Sequence, residues 1–211
     1  MRLNKYIKYS LLLVVIALLA YKSVYFKKLS EVKASTSEKF DAIAFTKKLW
    51  DEKLLVKLDS AIELTTLIKA ITADPNAAFE KYTNAMAVGN YRYAMVKATA
   101  EVVQVSEDDL SLQLPYADSL LNIKVATEFV YGNAIRDASQ LLQVKDFSNT
   151  TDLSNISEEL NKTVRTDVLG PFKKAVKKGD KLVVTGAIEI NKAHINWNEP
   201  EIIPVRLQIK N

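Results

Sequence analysis

Apolar residues change their spacing three times along this chain, and each change marks a different kind of element. The first stretch has no period: Leu11 to Ala20 is apolar without a break, and Arg2, Lys5 and Lys8 precede it. From Phe40 to Ile71 the spacing is helical. Phe40, Ile43, Ala44 and Trp50 make a stripe broken by Lys47, and Leu54, Leu58, Ala61, Leu64, Ile68 and Ile71 extend it without Gly or Pro. Apolar residues at i, i+3 and i+4 give a helix one face for a core. Ser35 with Glu38, and Ser60 with Glu63, have capping-box spacing, so the stretch reads as one long helix or as two meeting near Lys57 to Ser60. Asp74-Pro75 offers an N-cap and a first-turn proline for a short helix to about Met86, with Gly89-Asn90 as its stop.

From Tyr91 the period becomes two. Tyr91 to Val105 alternates and is rich in Val, Ala, Thr and Tyr. Leu110, Leu112 and Leu114 share a face after the Glu107–Asp109 turn, and Leu121, Ile123, Val125, Phe129 and Tyr131 alternate again up to Gly132. Asp152 to Lys177 returns to helical composition with a break expected at Gly170-Pro171. Leu182 to Ile190 and Ile202 to Ile209 are the last strands. Three strands, a helical insert and two closing strands is the order of an OB-type fold. Gly186 inside the fourth strand suits a tightly bent one. The expected fold is α+β: N-terminal helices, then an OB-like five-stranded antiparallel barrel with a helical insert between strands three and four. A plain α+β sandwich with an open sheet has the same element order. The expected organisation is a targeting segment and stalk over residues 1–36, a helical segment over 37–88 and the OB-like domain over 89–211.

The N-terminal run decides location. A charged start followed by an apolar stretch is the pattern of an export signal. A full membrane span needs about 20 mostly apolar residues. Lys22 interrupts this run, but Tyr21, Val24, Tyr25 and Phe26 prolong it, and a lysine can snorkel to the headgroups. Retention as an anchor over residues 9–26 and cleavage near Ala20 both stand. Either places the folded part on the periplasmic side of a cell envelope. The sequence has no cysteine, so it offers neither a disulfide framework nor an acceptor for lipoprotein-type acylation.

That segment also explains the charge. The chain is formally +4, yet residues 1–36 hold seven basic residues and one acidic, which leaves 22 basic against 24 acidic from residue 37 onward. A body of that balance lacks the basic face that nucleic acid requires, so no nucleic-acid partner is expected.

Catalytic and metal chemistry find little support. With no Cys and one His, the usual transition-metal sets cannot be assembled, and no metal or cofactor is expected. His194 lies in a polar loop with Asn196 and Trp197 and reads as a surface residue. Glu107, Asp108 and Asp109 read as a solvated turn, not a calcium loop, because EF-hand spacing is missing. There is no G-x-S-x-G nucleophile elbow and no Gly-rich phosphate loop. Tyr91 with Tyr93, and Phe129 with Tyr131, read as packing pairs more readily than as a base-stacking platform.

One stretch is less ordinary: GNAIRDASQLL, Gly132 to Leu142, followed by VKDFSNTTDL. Arg136 and Asp137 set a cation beside a carboxylate directly after the third strand. Two readings stand: a structural ion pair or helix cap, and a polar pocket whose fixed groups are Arg136, Asp137 and Asn149. In these motifs the chain resembles the bacterial domain of unknown function 2291 family of periplasmic lipoproteins. The resemblance is carried by FDAIAF and LW (Phe40, Asp41, Trp50), by Gly132 with Arg136-Asp137-Ala138, by DFSN (Asp146, Phe147, Asn149), and by the VVTGA and IIPVRLQI strands. It implies an exported OB-like protein with no established activity and an accessory role beside carbohydrate transporters of the ABC type. The missing cysteine departs from the family's lipid-attachment site and makes residues 9–26 the substitute anchor.

The chain is thus read as a non-enzymatic, membrane-tethered or periplasmic accessory protein that binds an envelope or transporter partner or a small polar ligand. The alternatives are a hydrolase using Asp137 with a second carboxylate, and a structural scaffold presenting the Phe40–Ile71 helix.

Overall fold

The computed structural model describes residues 5–23 and 40–210. It divides into two compact units, Met1–Phe40 and Asp41–Asn211. In the first, helix α1 (Lys5–Ser23) carries the apolar run. Among the described residues no helix is long and apolar enough to cross a membrane. Residues 24–26 of the expected anchor, and the Ser35–Glu38 capping pair, lie outside the described residues.

In the second unit, helix α2 (Ala42–Leu49) runs into a wide π-helical turn, Trp50–Leu54, and continues through tighter turns to Ser60. The backbone leaves the helical region at Ala61 (ψ 134°). Ile62–Glu63 then forms the short strand β1 before helix α3 (Leu64–Ala73) begins. The helical stretch is therefore two helices, divided close to the Lys57–Ser60 point. The Ser60–Glu63 capping box does not form: Ser60 Oγ donates back to the Lys57 carbonyl at 2.8 Å, and Glu63 pairs with Lys97 at 3.0 Å. Helix α4 (Pro75–Tyr82) starts as expected, the Asp74 carboxylate accepting from the Ala77 N–H at 3.1 Å, and ends before Met86.

The strands β2 (Tyr91–Val105), β3 (Asp109–Tyr116), β4 (Ser119–Ala126), β5 (Lys181–Asn191) and β6 (Glu201–Lys210) join β1 in one six-stranded sheet of order β1-β2-β3-β4-β6-β5. Strand β2 is long enough for two neighbours: residues 91–101 pair with β5 and residues 101–105 with β3. The pairings β2–β3, β3–β4, β4–β6, β6–β5 and β5–β2 thus return to their start. This corrects the expected wholly antiparallel arrangement, and β1 adds a sixth strand outside the circuit. Five pairings in a circuit cannot all alternate direction, and the odd one is β4–β6, which is parallel through Lys124–Glu201 and Val125–Ile202. The added β1 is also parallel to β2.

The core is the inner face of this sheet closed by α3 and α4. Leu64, Leu67, Ile68 and Ile71 recur at helical spacing and bury against Ala94, Val96, Ala98, Leu110, Leu112, Ile123, Val125, Leu182 and Val184. Gly186 sits where the β5–β6 register shifts, and a β-carbon there would lie 2.1 Å from the Ile203 carbonyl oxygen. Only the missing side chain lets the two strands approach so closely.

The third long strand stops at Ala126. The Asp108 carbonyl accepts from the N–H of Thr127 and of Glu128, and this turns the chain out of the sheet, so Phe129 and Tyr131 are exposed instead of continuing the alternation. The insert between β4 and β5 then holds α5 (Ala134–Ser139), α6 (Thr150–Thr163), a second π-helical turn (Val164–Leu169) and the short α7 (Gly170–Phe172). Gly170-Pro171 does not break the helix as expected. The backbone stays helical at Leu169, Gly170 and Lys173, and the π-helical turn gives way to α7 at Gly170.

Candidate functional site

The sequence-predicted pair Arg136 and Asp137 sits on α5, all six residues of which are buried. Arg136 Nε donates to Asp137 Oδ1 at 2.7 Å, and Nη1 donates to the Leu153 carbonyl of α6 at 3.2 Å. Asp137 Oδ2 accepts from the Met86 N–H at 3.3 Å, and its backbone carbonyl accepts from Asn84 Nδ2 at 3.0 Å. Asp137 is 1% exposed, with both carboxylate oxygens engaged inside the protein. The pair ties α5 to α6 and to the loop before β2.

Tyr93 of β2 borders the same cluster. Burial, then the charge of Glu189, a hydrogen bond to Glu189 and the charge of Asp137 push its phenol up to about 12. Asn149 stands at another place: it caps α6, accepting from the Asp152 N–H at 2.9 Å and donating to Asp152 Oδ2 at 3.0 Å. The structure therefore joins Arg136 to Asp137 and leaves Asn149, exposed, in a local cap. His194 is exposed and lines a shallow depression with Tyr91, Glu189 and Trp197. Among the described residues no group of three His, Cys, Asp or Glu is placed to hold a metal ion.

A different site forms where α2 packs against α6. Asp41 caps α2, its Oδ1 accepting from the Ala44 N–H at 3.0 Å. Phe45 and Phe147 meet edge to face with ring centres 5.8 Å apart, which locks α2 against the segment leading into α6. Between the two helices lies a cleft of about 230 Å³, lined by Ile43, Thr46, Lys47, Trp50, Asp51, Glu159, Thr163 and Asp167. It is smaller than the roughly 300–1,000 Å³ of drug-sized sites. Both π-helical turns reach it, one through Trp50 and Asp51 and the other through Asp167. Such turns interrupt regular helices at a cost and recur at functional positions.

Thr46 is the residue that sets this cleft apart. Four other threonines, Thr72, Thr83, Thr163 and Thr166, each donate to the carbonyl four residues earlier, at 2.6–3.1 Å. Thr46 is 2% exposed, and its Oγ1 has no hydrogen-bond partner among the described residues. A buried hydroxyl without a partner costs about 1–3 kcal/mol. The carboxylates around it are ionic and mostly at the rim. Asp51 pairs with Lys47 at 3.2 Å, Glu159 pairs with Lys162 at 3.2 Å, and Asp167 accepts from Thr166 Oγ1 at 2.7 Å. Sequence reasoning missed this site because Trp50 read as part of a helix stripe, while Thr46, Glu159 and Asp167 belong to no motif. The one visible signal was Lys47, the polar break in that stripe.

Strand pairings that return to their start, with a helical insert after the third long strand, define the OB class. A crystal structure of an OB-fold protein from Thermotoga maritima is similar to this chain at a TM-score of 0.72 and 22% identity, over 82% of this chain and 100% of that one. The fold is of that type, mixed α+β. The family model described as predicted periplasmic lipoprotein, domain of unknown function 2291, matches residues 14–208, and the chain belongs to that family. That description sets its location in the cell envelope, on the periplasmic side. A comparison with curated proteins finds no match.

Proposed function

We propose that the chain is a non-enzymatic binding and accessory protein of the periplasmic face, held near the membrane by residues 9–26, its sheet a five-stranded OB barrel apart from β1. The observation that carries the binding part is the unpartnered Thr46 hydroxyl in the acidic, Trp50-backed cleft between α2 and α6. A buried polar atom kept without a partner is explained when a ligand supplies one. Exposed Leu11, Leu12 and Leu13 on α1 support the tether, since apolar side chains of that number favour a nonpolar phase. Service to a carbohydrate transporter of the ABC type is the finer part of the reading, and it rests on the family resemblance. Hydrolysis through Asp137 is disfavoured by its burial and by the engagement of both its oxygens.

The test is calorimetric titration of the full chain in detergent with a panel of neutral sugars, amines and inorganic anions. Saturable binding by one class, weakened in Thr46→Val, supports the reading. No saturable binding by any class, together with no transporter subunit co-purifying from the native envelope, overturns it.

A further inference from the structure

We infer that the α2–α6 cleft selects a small organic cation, an amine or quaternary ammonium; this rests on the binding reading above and names the class of its ligand. The charge of the lining is the first argument. Asp51, Glu159 and Asp167 line the cleft with one lysine, Lys47, a formal −2, and Lys162, which pairs with Glu159 from outside the lining, brings the local balance to −1. An anion entering it meets three carboxylates, and a neutral ligand leaves the excess uncompensated. A cation neutralises it. The carboxylates are not grouped to chelate a metal ion, so the charge suits a diffuse organic cation.

The back of the cleft supplies the second argument. Trp50 lines the cleft and is 8% exposed, too little ring to stack a sugar, whereas a cation within about 6 Å of the ring centre is still attracted to it. Indole is the best of the aromatic partners for a cation. Elsewhere Lys69, Lys81 and Arg165 lie over Tyr116, Tyr82 and Tyr131 respectively. Among the described residues no side-chain cation occupies the Trp50 ring in this way. Thr46 completes the set, because its lone pairs accept an ammonium N–H or lie against the polarised methyl groups of a quaternary one.

Lys47 is the internal competitor. It is 79% exposed and holds Asp51 at 3.2 Å, and an exposed pair of this kind is weak, about 0–1 kcal/mol. An incoming ammonium therefore displaces it readily.

The experiment follows Trp50 emission in the full chain in detergent on a Trp197→Phe background, which leaves Trp50 as the remaining indole. Choline and putrescine are titrated at constant ionic strength, with glucose and inorganic phosphate as neutral and anionic probes. The expected result is saturable change with choline or putrescine, weakened at least about tenfold in Glu159→Gln/Asp167→Asn and several-fold in Thr46→Val, but kept in Thr46→Ser. Unchanged far-UV circular dichroism and melting confirm that the variants fold. If glucose or phosphate saturates the signal and neither amine does, the cation class is wrong while the binding reading survives. If no probe moves Trp50, both fall. Amine binding that is indifferent to all three positions overturns the site.

Discussion

Two regions of this molecule hold polar groups away from water, and they do so in opposite ways. Around Arg136 and Asp137 the identified partners are all internal: guanidinium to carboxylate, guanidinium to the Leu153 carbonyl, carboxylate to the Met86 N–H. Around Thr46 a hydroxyl equally well buried has none. A polar cluster whose bonds close within the protein builds architecture. One left open keeps a hydrogen-bonding atom that, on the function proposed above, a ligand satisfies. The difference shows that burial and charge alone do not separate a site from a strut; what separates them is where the hydrogen bonds end.

The largest break in this comparison comes from the closed cluster. Asp137→Asn leaves the Arg136 guanidinium buried without its counter-charge, and loss of about 3–5 kcal/mol of unfolding free energy is expected from urea denaturation. Loss below 1 kcal/mol would place Asp137 outside the support of the fold. Next comes the cap: Asn149→Ala removes the acceptor for the Asp152 N–H and should cost about 1 kcal/mol by the same measurement. Ligand affinity should stay unchanged, which separates Asn149 from any pocket.

The open cluster should respond with the other sign. Thr46→Val substitutes a methyl for an unpartnered hydroxyl of the same shape, so the apo protein should be unchanged or more stable by up to about 1 kcal/mol, while binding weakens. The smallest effect is a pH dependence. Tyr93, held at about 12 from its ordinary 10.0 by burial and by Glu189, is favoured as the neutral phenol in the folded state. Its contribution is complete below pH 10 and is lost as pH rises from 10 towards 12. Ultraviolet phenolate absorbance should show Tyr93 titrating late, and Asp137→Asn should bring that step to lower pH.

Much of the sheet could be read directly from the chain. Leu110, Leu112 and Leu114 alternate because one face of β3 is core, and that pattern is local. The end of β4 was hidden because Phe129 and Tyr131 keep the same alternation, and only the distant Asp108 carbonyl shows that the chain has already turned. The Arg136-Asp137 pair stood out as neighbours in sequence. Whether they faced a pocket or each other depends on the Met86 and Leu153 backbone, which composition does not report. The cleft was least legible of all. Thr46 and Asp167 come from segments far apart in the chain, and the wide turns that carry Trp50 and Asp167 leave no mark in residue type.

The one parallel joint within the circuit of five strands has a mechanical meaning. Strands β2 and β5 are matched from Tyr91–Asn191 to Glu101–Lys181, whereas β4 and β6 meet only at Lys124 and Val125, with one more bond from the Lys124 N–H to the Pro200 carbonyl at 3.0 Å. The ring of strands behaves as a clasp, with one long hinge and one short catch. Partial opening should begin at the catch and leave the hinge intact, so in native-state hydrogen exchange the Lys124 amide should exchange well before the amides in the middle of β2. Motion of the sheet would then spread outward from Lys124 and Pro200, while the β2–β5 ribbon stays as the fixed reference for the rest of the fold.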